Sequence, residues 1–344
     1  MALSFLAPVV AKIKYAFAVY FLFGGVPITL VTLLVRARKL IHSNFAKFAA
    51  FFTGYLAFTK LLVQRYPLGV RSRNSDFSLT RALIEPLYRL QGGRVIDAAT
   101  VPLDPSTSYL FACAPHGLLT FEWLVALTTL PAVPPVALGA SVIFRIPFIR
   151  ELYSFWSVEA SPENFERILA ARRSICVIPG GVSEMMLSTP GQTVKVSTKN
   201  KGFIRMALKY GMPVVPVFAF GQHNLWHQKR LPEVISRPIA KATGGTYPFL
   251  PWGSFAMFLP NADSRVVHVF GDPVRMPRIL GDISPQEVDY HHARFYRALA
   301  ETVNTTKHEA GFADLNVVFV GMEHLNVGLP KGHHPSTLNI RANL

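Results

Sequence analysis

Short apolar runs that end in proline or glycine alternate along this chain with segments of helical character, and that order limits the folds open to it. Apolar runs of about four to eight residues bounded by turn residues indicate buried strands. The clearest examples are Tyr109–Cys113, Ser174–Ile178, Val214–Phe218 and Arg265–Phe270. Strands alternating with helices favour an α/β fold, and we predict a mixed, largely parallel sheet flanked by helices.

Three of the intervening helices have recognisable ends. Ser161-Pro162 supplies an N-cap serine followed by proline at the first helical position, which predicts a helix over Asn164–Arg173. Ser284-Pro285-Gln286-Glu287 matches a capping box, and the helix that it opens is predicted to reach about His308. A basic helix is predicted over Lys201–Tyr210, because the glycine that follows it is a typical C-terminal residue.

The composition indicates contact with lipid. Hydrophobic residues make up 50% of the 344 residues and charged residues only 16%, below the usual quarter for soluble domains. The formal charge of +15 suits an anionic membrane surface, a polyanionic small molecule or nucleic acid. Because no nucleic-acid-binding motif is present, we expect a membrane and a phosphorylated co-substrate as partners, and no nucleic acid.

The amino-terminal region contains a candidate membrane anchor. Residues 15–35 carry no charge, and these 21 residues suffice to cross a bilayer. A second apolar stretch, Phe48–Thr59, is shorter and is bounded by lysines. Two full spans would place the basic residues between the stretches on the far side, so a hairpin that enters and leaves on one face is preferred. One span, two spans and a re-entrant hairpin all remain open.

One histidine stands at the end of the first strand. In Ala114-Pro115-His116-Gly117, the proline cannot donate to a sheet ladder, and the glycine lets the backbone turn or approach a ligand closely. A histidine delivered to a strand end between apolar segments suits a general base that meets an apolar substrate. The alternative is a partly buried histidine in an ordinary turn.

A second glycine-rich turn follows the strand Ser174–Ile178. Gly180 and Gly181 expose backbone N–H groups that can bind an oxyanion or a phosphate, and Glu184 follows them. Ser183 lies in a sequence that lacks the final glycine of a serine-hydrolase elbow, so a serine nucleophile is not favoured. An ordinary turn is the alternative interpretation.

The basic helix presents cations on one face. Lys201, Arg205 and Lys209 recur every four residues, which suits phosphates of coenzyme A or lipid headgroups, although a solvated face is common. His223 and His227 have the spacing of a helical metal pair without an evident third ligand, so no metal is expected.

Taken together, these segments resemble the type-2 diacylglycerol acyltransferases, with their monoacylglycerol and wax-ester relatives. The likeness covers most of residues 110–320. It includes Pro115-His116-Gly117, the Gly180-Gly181-x-x-Glu184 element and the long block KGFIRMALKYGMPVVPVFAFG, residues 201–221. The block HHARFYRALAETVNTTKHEAGF, residues 291–312, and the amino-terminal hairpin are also similar.

The chain departs from this family at several positions. Ala114 stands where the family has His, or Glu in plant-like members, so a second functional side chain is missing from that motif. Asn200 replaces the Arg before Lys-Gly-Phe, Gln222-His223 replaces Glu-Asn, and the upstream Tyr-Phe-Pro element is not recognisable. These differences bear on substrate choice more than on reaction class.

The resemblance implies an acyl-CoA:diacylglycerol O-acyltransferase of glycerolipid acyltransferase-like fold that forms triacylglycerol. The chemistry of that reaction makes His116 the candidate general base, and Glu184, in preference to Glu122, is expected either to orient His116 or to bind the acceptor hydroxyls. The resemblance also implies substrate binding by a set of residues in the three motifs: Pro115, Gly117, Gly180, Gly181, Lys201, Gly202, Phe203 and Arg205. The alternatives are a monoacylglycerol, wax-ester or lysophospholipid acyltransferase, or a catalytically lapsed lipid-binding protein.

The same resemblance implies a domain plan and a location. The plan is a membrane-anchoring hairpin over residues 1–64, an acyltransferase domain over 65–325 and a tail over 326–344. Acyl-CoA is expected as co-substrate and no cofactor is expected. The expected location is the endoplasmic reticulum membrane with the catalytic domain facing the cytosol, with the lipid droplet or a plastid envelope as alternatives.

Overall fold

A computed structural model describes residues 53–54, 85–86, 88–89, 92–129, 134–141, 143–145, 157–230, 232–234, 249–253, 260–261 and 263–328. The predicted hairpin over residues 1–64 and the tail beyond 328 lie almost entirely outside these ranges. Within them, no helix combines the length and apolar character needed to cross a bilayer.

The strands confirm the predicted α/β order. They are β1 (Arg94–Asp97), β2 (Leu110–Ala114), β3 (Val136–Gly139), β4 (Ser157–Glu159), β5 (Ile175–Val177), β6 (Thr193–Ser197), β7 (Val214–Phe220), β8 (His227–Arg230), β9 (Phe249–Trp252), β10 (Val267–Phe270) and β11 (Asn316–Val320). A seven-stranded sheet has the order β1-β10-β7-β2-β5-β3-β4 and is parallel except between β10 and β7. The prediction of a mixed, largely parallel sheet is therefore confirmed.

The helices are α1 (Phe121–Leu127), α2 (Pro162–Ala170), α3 (Gly181–Leu187), α4 (Gly202–Tyr210) and α5 (Pro285–Thr306). Three of these helices, α2, α4 and α5, follow predicted segments, whereas α1 and α3 were not predicted. Ser161 caps α2, the Ser284–Glu287 capping box opens α5, and Gly211 ends α4 in a left-handed conformation. Because these signals lie in neighbouring residues, the sequence predicted them to within a few positions.

Both faces of the sheet are covered around β2. Leu110, Ala112 and Ala114 belong to the core cluster that packs against α2, α4 and α5. Phe111 and Cys113 belong to the cluster on the other face, which contains residues of α1. A strand buried on both sides reads as a continuous apolar run, and β2 shows this pattern.

The sheet order brings three turns to one edge. β7, β2 and β5 are neighbours and run parallel, with Leu110 paired to both Ile175 and Val214. Because the carboxyl ends of parallel neighbours meet at the same edge, the segments that follow these strands lie side by side. Those segments begin at Pro115, Ile178 and Gly221.

Candidate active site

The turn after β2 presents His116 from a constrained backbone. The Ala114–Pro115 peptide is cis, and Gly117 has φ +65°, a left-handed conformation that favours glycine. Pro115 and Gly117 are buried, whereas His116 is half-buried. The histidine is therefore the member of this turn that a substrate can reach.

A hydrogen bond to a carbonyl fixes which ring nitrogen of His116 carries the proton. Nδ1 lies 3.0 Å from the carbonyl oxygen of Gly117. Because a carbonyl oxygen can only accept, Nδ1 must donate, and Nε2 keeps its lone pair. Burial lowers the pKa of His116 below its usual range, against the raising effect of that hydrogen bond. The ring is thus neutral near pH 7 with Nε2 ready to accept a proton.

Glu184 holds the backbone of this turn. Its Oε1 accepts from the His116 N–H at 2.5 Å, and its Oε2 accepts from the Ser197 N–H at 2.6 Å. The side chain is 1% exposed. The carboxyl group therefore ties the turn after β2 to the end of β6, and its hydrogen bond to His116 is to the main chain.

Burial has the largest effect on the pKa of Glu184. Removal from water raises the pKa of Glu184 to about 7, although the two backbone N–H donors act in the opposite direction. Gly180 allows this arrangement, since a Cβ atom there would lie 2.2 Å from Oε2 of Glu184. The predicted pairing of Gly180 with Glu184 thus has a steric basis.

A second buried carboxyl lies on the other flank of the turn. Glu122 is 2% exposed, and burial raises the pKa of Glu122 to about 7. Nε2 of Gln222 donates to the Leu119 carbonyl at 2.7 Å and lies 3.3 Å from Oε2 of Glu122. In the sequence, Gln222 was noted only as a position that differs from the family that the chain resembles. Its place directly after β7 and Gly221 was the one signal that could have marked it as a site residue.

The backbone amides of the two glycine turns are not equivalent. The N–H of His116 is taken by Glu184, and the N–H of Gly181 donates to the Ile178 carbonyl at 3.0 Å. Those of Gly117 and Gly180 have no acceptor among the residues with described coordinates. These two amides are the ones left to stabilise a developing oxyanion.

The basic residues of α4 are exposed and paired within the protein. Nζ of Lys201 lies 2.5 Å from Asp289, and Nζ of Lys209 lies 2.9 Å from Glu166. Arg205 donates to the Ile283 carbonyl at 3.1 Å. Exposed ion pairs contribute little stability, so an incoming phosphate competes for these cations at small cost.

The other predicted substrate-binding residues, Gly202, Phe203 and Gly181, differ in their exposure. Gly202 is exposed at the first position of α4 with open space around its Cα atom. Phe203 packs inward, with its ring centroid 5.2 Å from that of Phe295. Gly181 is also open, with φ +51°.

A narrow crevice adjoins the turn. Its walls include Pro115, Gly117, Glu184, Ser188, Lys195 and His223. His223 donates from Nε2 to the Gly191 carbonyl at 2.9 Å, and burial lowers the pKa of His223. No cluster of three His, Cys, Asp or Glu side chains that could hold a metal occurs in the described ranges.

Ser183 is engaged by its own helix. Its hydroxyl donates to the Gly180 carbonyl at 2.8 Å, a back-bond typical of serine in the first turn of a helix. The strongest set of convergent groups is therefore His116 with Glu184, Gln222 and the two free glycine amides. That set suits proton abstraction from a hydroxyl and stabilisation of an oxyanion.

Comparisons with known proteins agree on one family. The family model described as diacylglycerol acyltransferase matches residues 95–320. The chain is 31% identical over 231 residues to diacylglycerol O-acyltransferase 2 of Dictyostelium discoideum, covering 61% of this chain and 69% of that protein. It is 30% identical over 240 residues to acyl-CoA wax alcohol acyltransferase 1 of Homo sapiens, covering 64% of this chain and 73% of that protein.

Two further likenesses are more distant. The chain is 24% identical over 265 residues to 2-acylglycerol O-acyltransferase 3 of Homo sapiens, covering 70% of this chain and 75% of that protein. Among solved structures it is similar to the 1-acyl-sn-glycerophosphate (LPA) acyltransferase PlsC of Thermotoga maritima. That likeness has a TM-score of 0.44 at 14% identity and covers 88% of this chain and 97% of the other.

Proposed function

Because this chain belongs to the diacylglycerol acyltransferase family, we propose that it transfers a fatty acyl group from acyl-CoA to diacylglycerol, forming triacylglycerol, with His116 as general base. The family assignment confirms the resemblance inferred from the motifs. The acceptor and the role of His116 are proposals that rest on the chemistry of the site.

The proton transfer begins at Nε2 of His116. This atom takes the proton of the acceptor hydroxyl as the hydroxyl oxygen attacks the thioester carbonyl carbon. The Gly117 carbonyl, which holds Nδ1–H at 3.0 Å, becomes a better partner as the ring turns positive. General base catalysis of this kind is typically worth ~10²–10⁴-fold in rate.

The tetrahedral intermediate then collapses to product. Its oxyanion accepts from the N–H groups of Gly117 and Gly180, the C–S bond breaks, and the coenzyme A thiolate takes the proton from His116. The products are an ester and free coenzyme A, and no acyl-enzyme is required. Glu184 supports this sequence by fixing the backbone of the base.

We assign substrate contacts in two groups. Pro115, Gly117, Gly180 and Gly181 surround the reacting atoms. Lys201 and Arg205, at the start of α4 with Gly202 and Phe203, bind phosphates of acyl-CoA, which bidentate and charge-assisted hydrogen bonds suit.

We place the enzyme at the endoplasmic reticulum membrane with its catalytic domain in the cytosol, or at a lipid droplet. The uncharged residues 15–35 and the charge of +15 support this proposal. Acyl-CoA, a lipid alcohol and a bilayer are the proposed partners.

The observation that carries the proposal is the fixed tautomer of His116, together with the Gly117 and Gly180 amides that have no acceptor in the described ranges. The test uses purified full-length protein in mixed micelles with labelled acyl-CoA and separate acceptors: diacylglycerol, monoacylglycerol, a long-chain alcohol and lysophosphatidate. We expect the highest kcat/KM with diacylglycerol. A clear preference for another acceptor would overturn the substrate assignment, and no transfer to any acceptor would identify a lapsed, lipid-binding protein.

The similarity to a wax alcohol acyltransferase and to a 2-acylglycerol acyltransferase makes those acceptors the informative comparisons. A long-chain alcohol tests whether a glycerol backbone is needed. Monoacylglycerol tests whether a second free hydroxyl is favoured.

A further inference from the structure

We propose that Gln222 is a positioning residue for His116, holding the turn over residues 117–119 from the side opposite Glu184. The inference rests on the proposed role of His116 as base. It adds a second support for that base, contributed by the strand on the other side of β2.

Two features of the preceding chain, β7 and Gly221, position Gln222. It follows β7, whose residue Phe218 pairs with Ala114 at the end of β2. Gly221 directly before it has φ +81°, and a Cβ atom there would lie 1.9 Å from the Arg265 carbonyl. The close approach at Gly221 turns the chain toward the His116 turn. The side chain of Gln222 is 0% exposed and packs against that turn.

The amide of Gln222 fixes the carbonyl end of the turn. Nε2 donates to the Leu119 carbonyl at 2.7 Å, and the same group lies 3.3 Å from Oε2 of Glu122. The Leu119 oxygen can only accept, so this orientation of the amide is the favoured one. Oε1 of Gln222 is buried and has no hydrogen-bond partner in the described part of the chain. An unpaired buried oxygen is unusual in a purely structural side chain.

The side chain of Gln222 also fills the space beside Gly117. A Cβ atom on Gly117 would lie 2.7 Å from Cγ and 3.1 Å from Nε2 of Gln222. The Gly117 peptide is therefore packed against Gln222, and its carbonyl is the group that holds Nδ1–H of His116. Loss of the amide would let this peptide rotate and release the ring tautomer that leaves Nε2 free.

The test replaces the amide while keeping the side chain's length. Gln222→Met retains the methylene that packs on Gly117 but removes both hydrogen bonds, and Gln222→Leu is a second variant that also lacks the amide, in case the first does not fold. Asn326→Leu is the matched control, because its side chain likewise ties a backbone group, the N–H of Phe319 at 2.9 Å, in another part of the fold.

Two readouts separate positioning from general stability. We expect kcat to fall ~10-fold or more in a folded Gln222 variant, with KM for acyl-CoA and acceptor within about twofold of wild type. The ¹⁵N shifts of the His116 ring should show a single Nδ1–H tautomer in the wild type and a mixture in the variant. The control should change neither quantity.

Three results would overturn the inference: a kcat within about twofold of wild type in a folded variant, an unchanged His116 tautomer, or an equal loss in Asn326→Leu. The ring spectrum needs no activity, so it tests the coupling between Gln222 and His116 by itself. If His116→Ala retained activity while the tautomer still depended on Gln222, the proposed function would fail and the coupling would stand.

Discussion

Oε1 of Glu184 accepts a hydrogen bond from the backbone N–H of His116 at 2.5 Å, while the imidazole of the same residue is held by the Gly117 carbonyl. The proposed base, His116, and Glu184 are therefore joined through the main chain. A carboxylate on Nδ1 would raise the pKa of the ring, whereas a neutral carbonyl has a weaker effect and burial lowers that pKa.

Removal of the imidazole should abolish transfer. For His116→Ala we expect kcat to fall ~10²–10⁴-fold with near-normal stability, because the side chain is half-buried and makes one hydrogen bond. Labelled-product assays and thermal unfolding measure the two quantities. His308→Ala, at an exposed position, is the control and should match the wild type. Wild-type turnover in a folded His116 variant would remove this residue from the mechanism.

Activity should persist below the usual pKa of histidine. The base must be neutral, so kcat/KM falls as the pH drops through the pKa of His116. Because burial lowers that pKa from 6.5, the acid limb should lie below pH 6.5. A pH profile of kcat/KM with diacylglycerol measures it. An acid limb centred above pH 7 would instead indicate a negative charge acting directly on the ring.

The buried carboxyl of Glu184 should make stability depend on pH in a specific direction. The pKa of Glu184 is raised from 4.5 to about 7, so the folded state binds the extra proton and loses stability as the pH rises from about 4.5 to 7. The shift corresponds to roughly 3 kcal/mol.

Glu184→Gln isolates this contribution from those of the histidines. The amide and the protonated acid each offer one oxygen acceptor for two N–H donors, so the variant should resemble the wild type at low pH. Above pH 7 it should gain stability relative to the wild type, while kcat falls there because only one of the two N–H donors still meets an oxygen of residue 184. Denaturant unfolding at several pH values measures the difference. A relative loss of stability on raising the pH would mean that the backbone donors outweigh burial.

A methyl group on Gly180 should displace the same carboxyl. In Gly180→Ala the new Cβ would lie 2.2 Å from Oε2 of Glu184, although the backbone conformation, φ −63°, suits alanine. We expect a loss of ~1–3 kcal/mol in the free energy of unfolding, with reduced kcat. Gly202→Ala adds a methyl group in open space at the start of a helix, so it should leave the free energy of unfolding unchanged or raise it slightly. Equal effects in the two variants would count against the steric explanation.

The exposed cations of α4 should affect acyl-CoA binding more than stability. Replacing Lys201 and Arg205 together by Ala should raise KM for acyl-CoA several-fold and change the free energy of unfolding by less than ~1 kcal/mol. Lys209→Ala is the matched control, since this lysine also forms an exposed ion pair. If the double variant binds anionic vesicles less well but keeps its KM for acyl-CoA, these cations bind lipid headgroups instead of acyl-CoA.

Local signals predicted the four strands β2, β5, β7 and β10 and the three helices α2, α4 and α5. Serine caps, Gly211 and the proline or glycine that follows these four strands are encoded within a few residues, so these elements could be located. The order of strands could not be predicted in this way, because the adjacency of β7, β2 and β5 depends on pairing between residues 65 and 104 positions apart.

The same limit applied to the site. His116 and Glu184 stood out by residue type and by their glycine neighbours. That Glu184 would meet the backbone of His116, and that Gln222 would contact Gly117, depended on the order of the strands. Gln222 has no distinctive local pattern, and the partners of Lys201 and Arg205 come from residues more than 70 positions away.

Placing the three turns on adjacent strands makes the site a late product of folding. The register joins Leu110 to Ile175 and to Val214, so its parts meet only after two large loops have closed. A ribosome-bound chain that has not yet exposed β7 has the histidine and both carboxyls in its sequence but lacks the strand that supplies Gln222. On the proposed mechanism, acyl transfer therefore reports that β7 has paired with β2, and a nascent chain that still lacks β7 cannot carry it out.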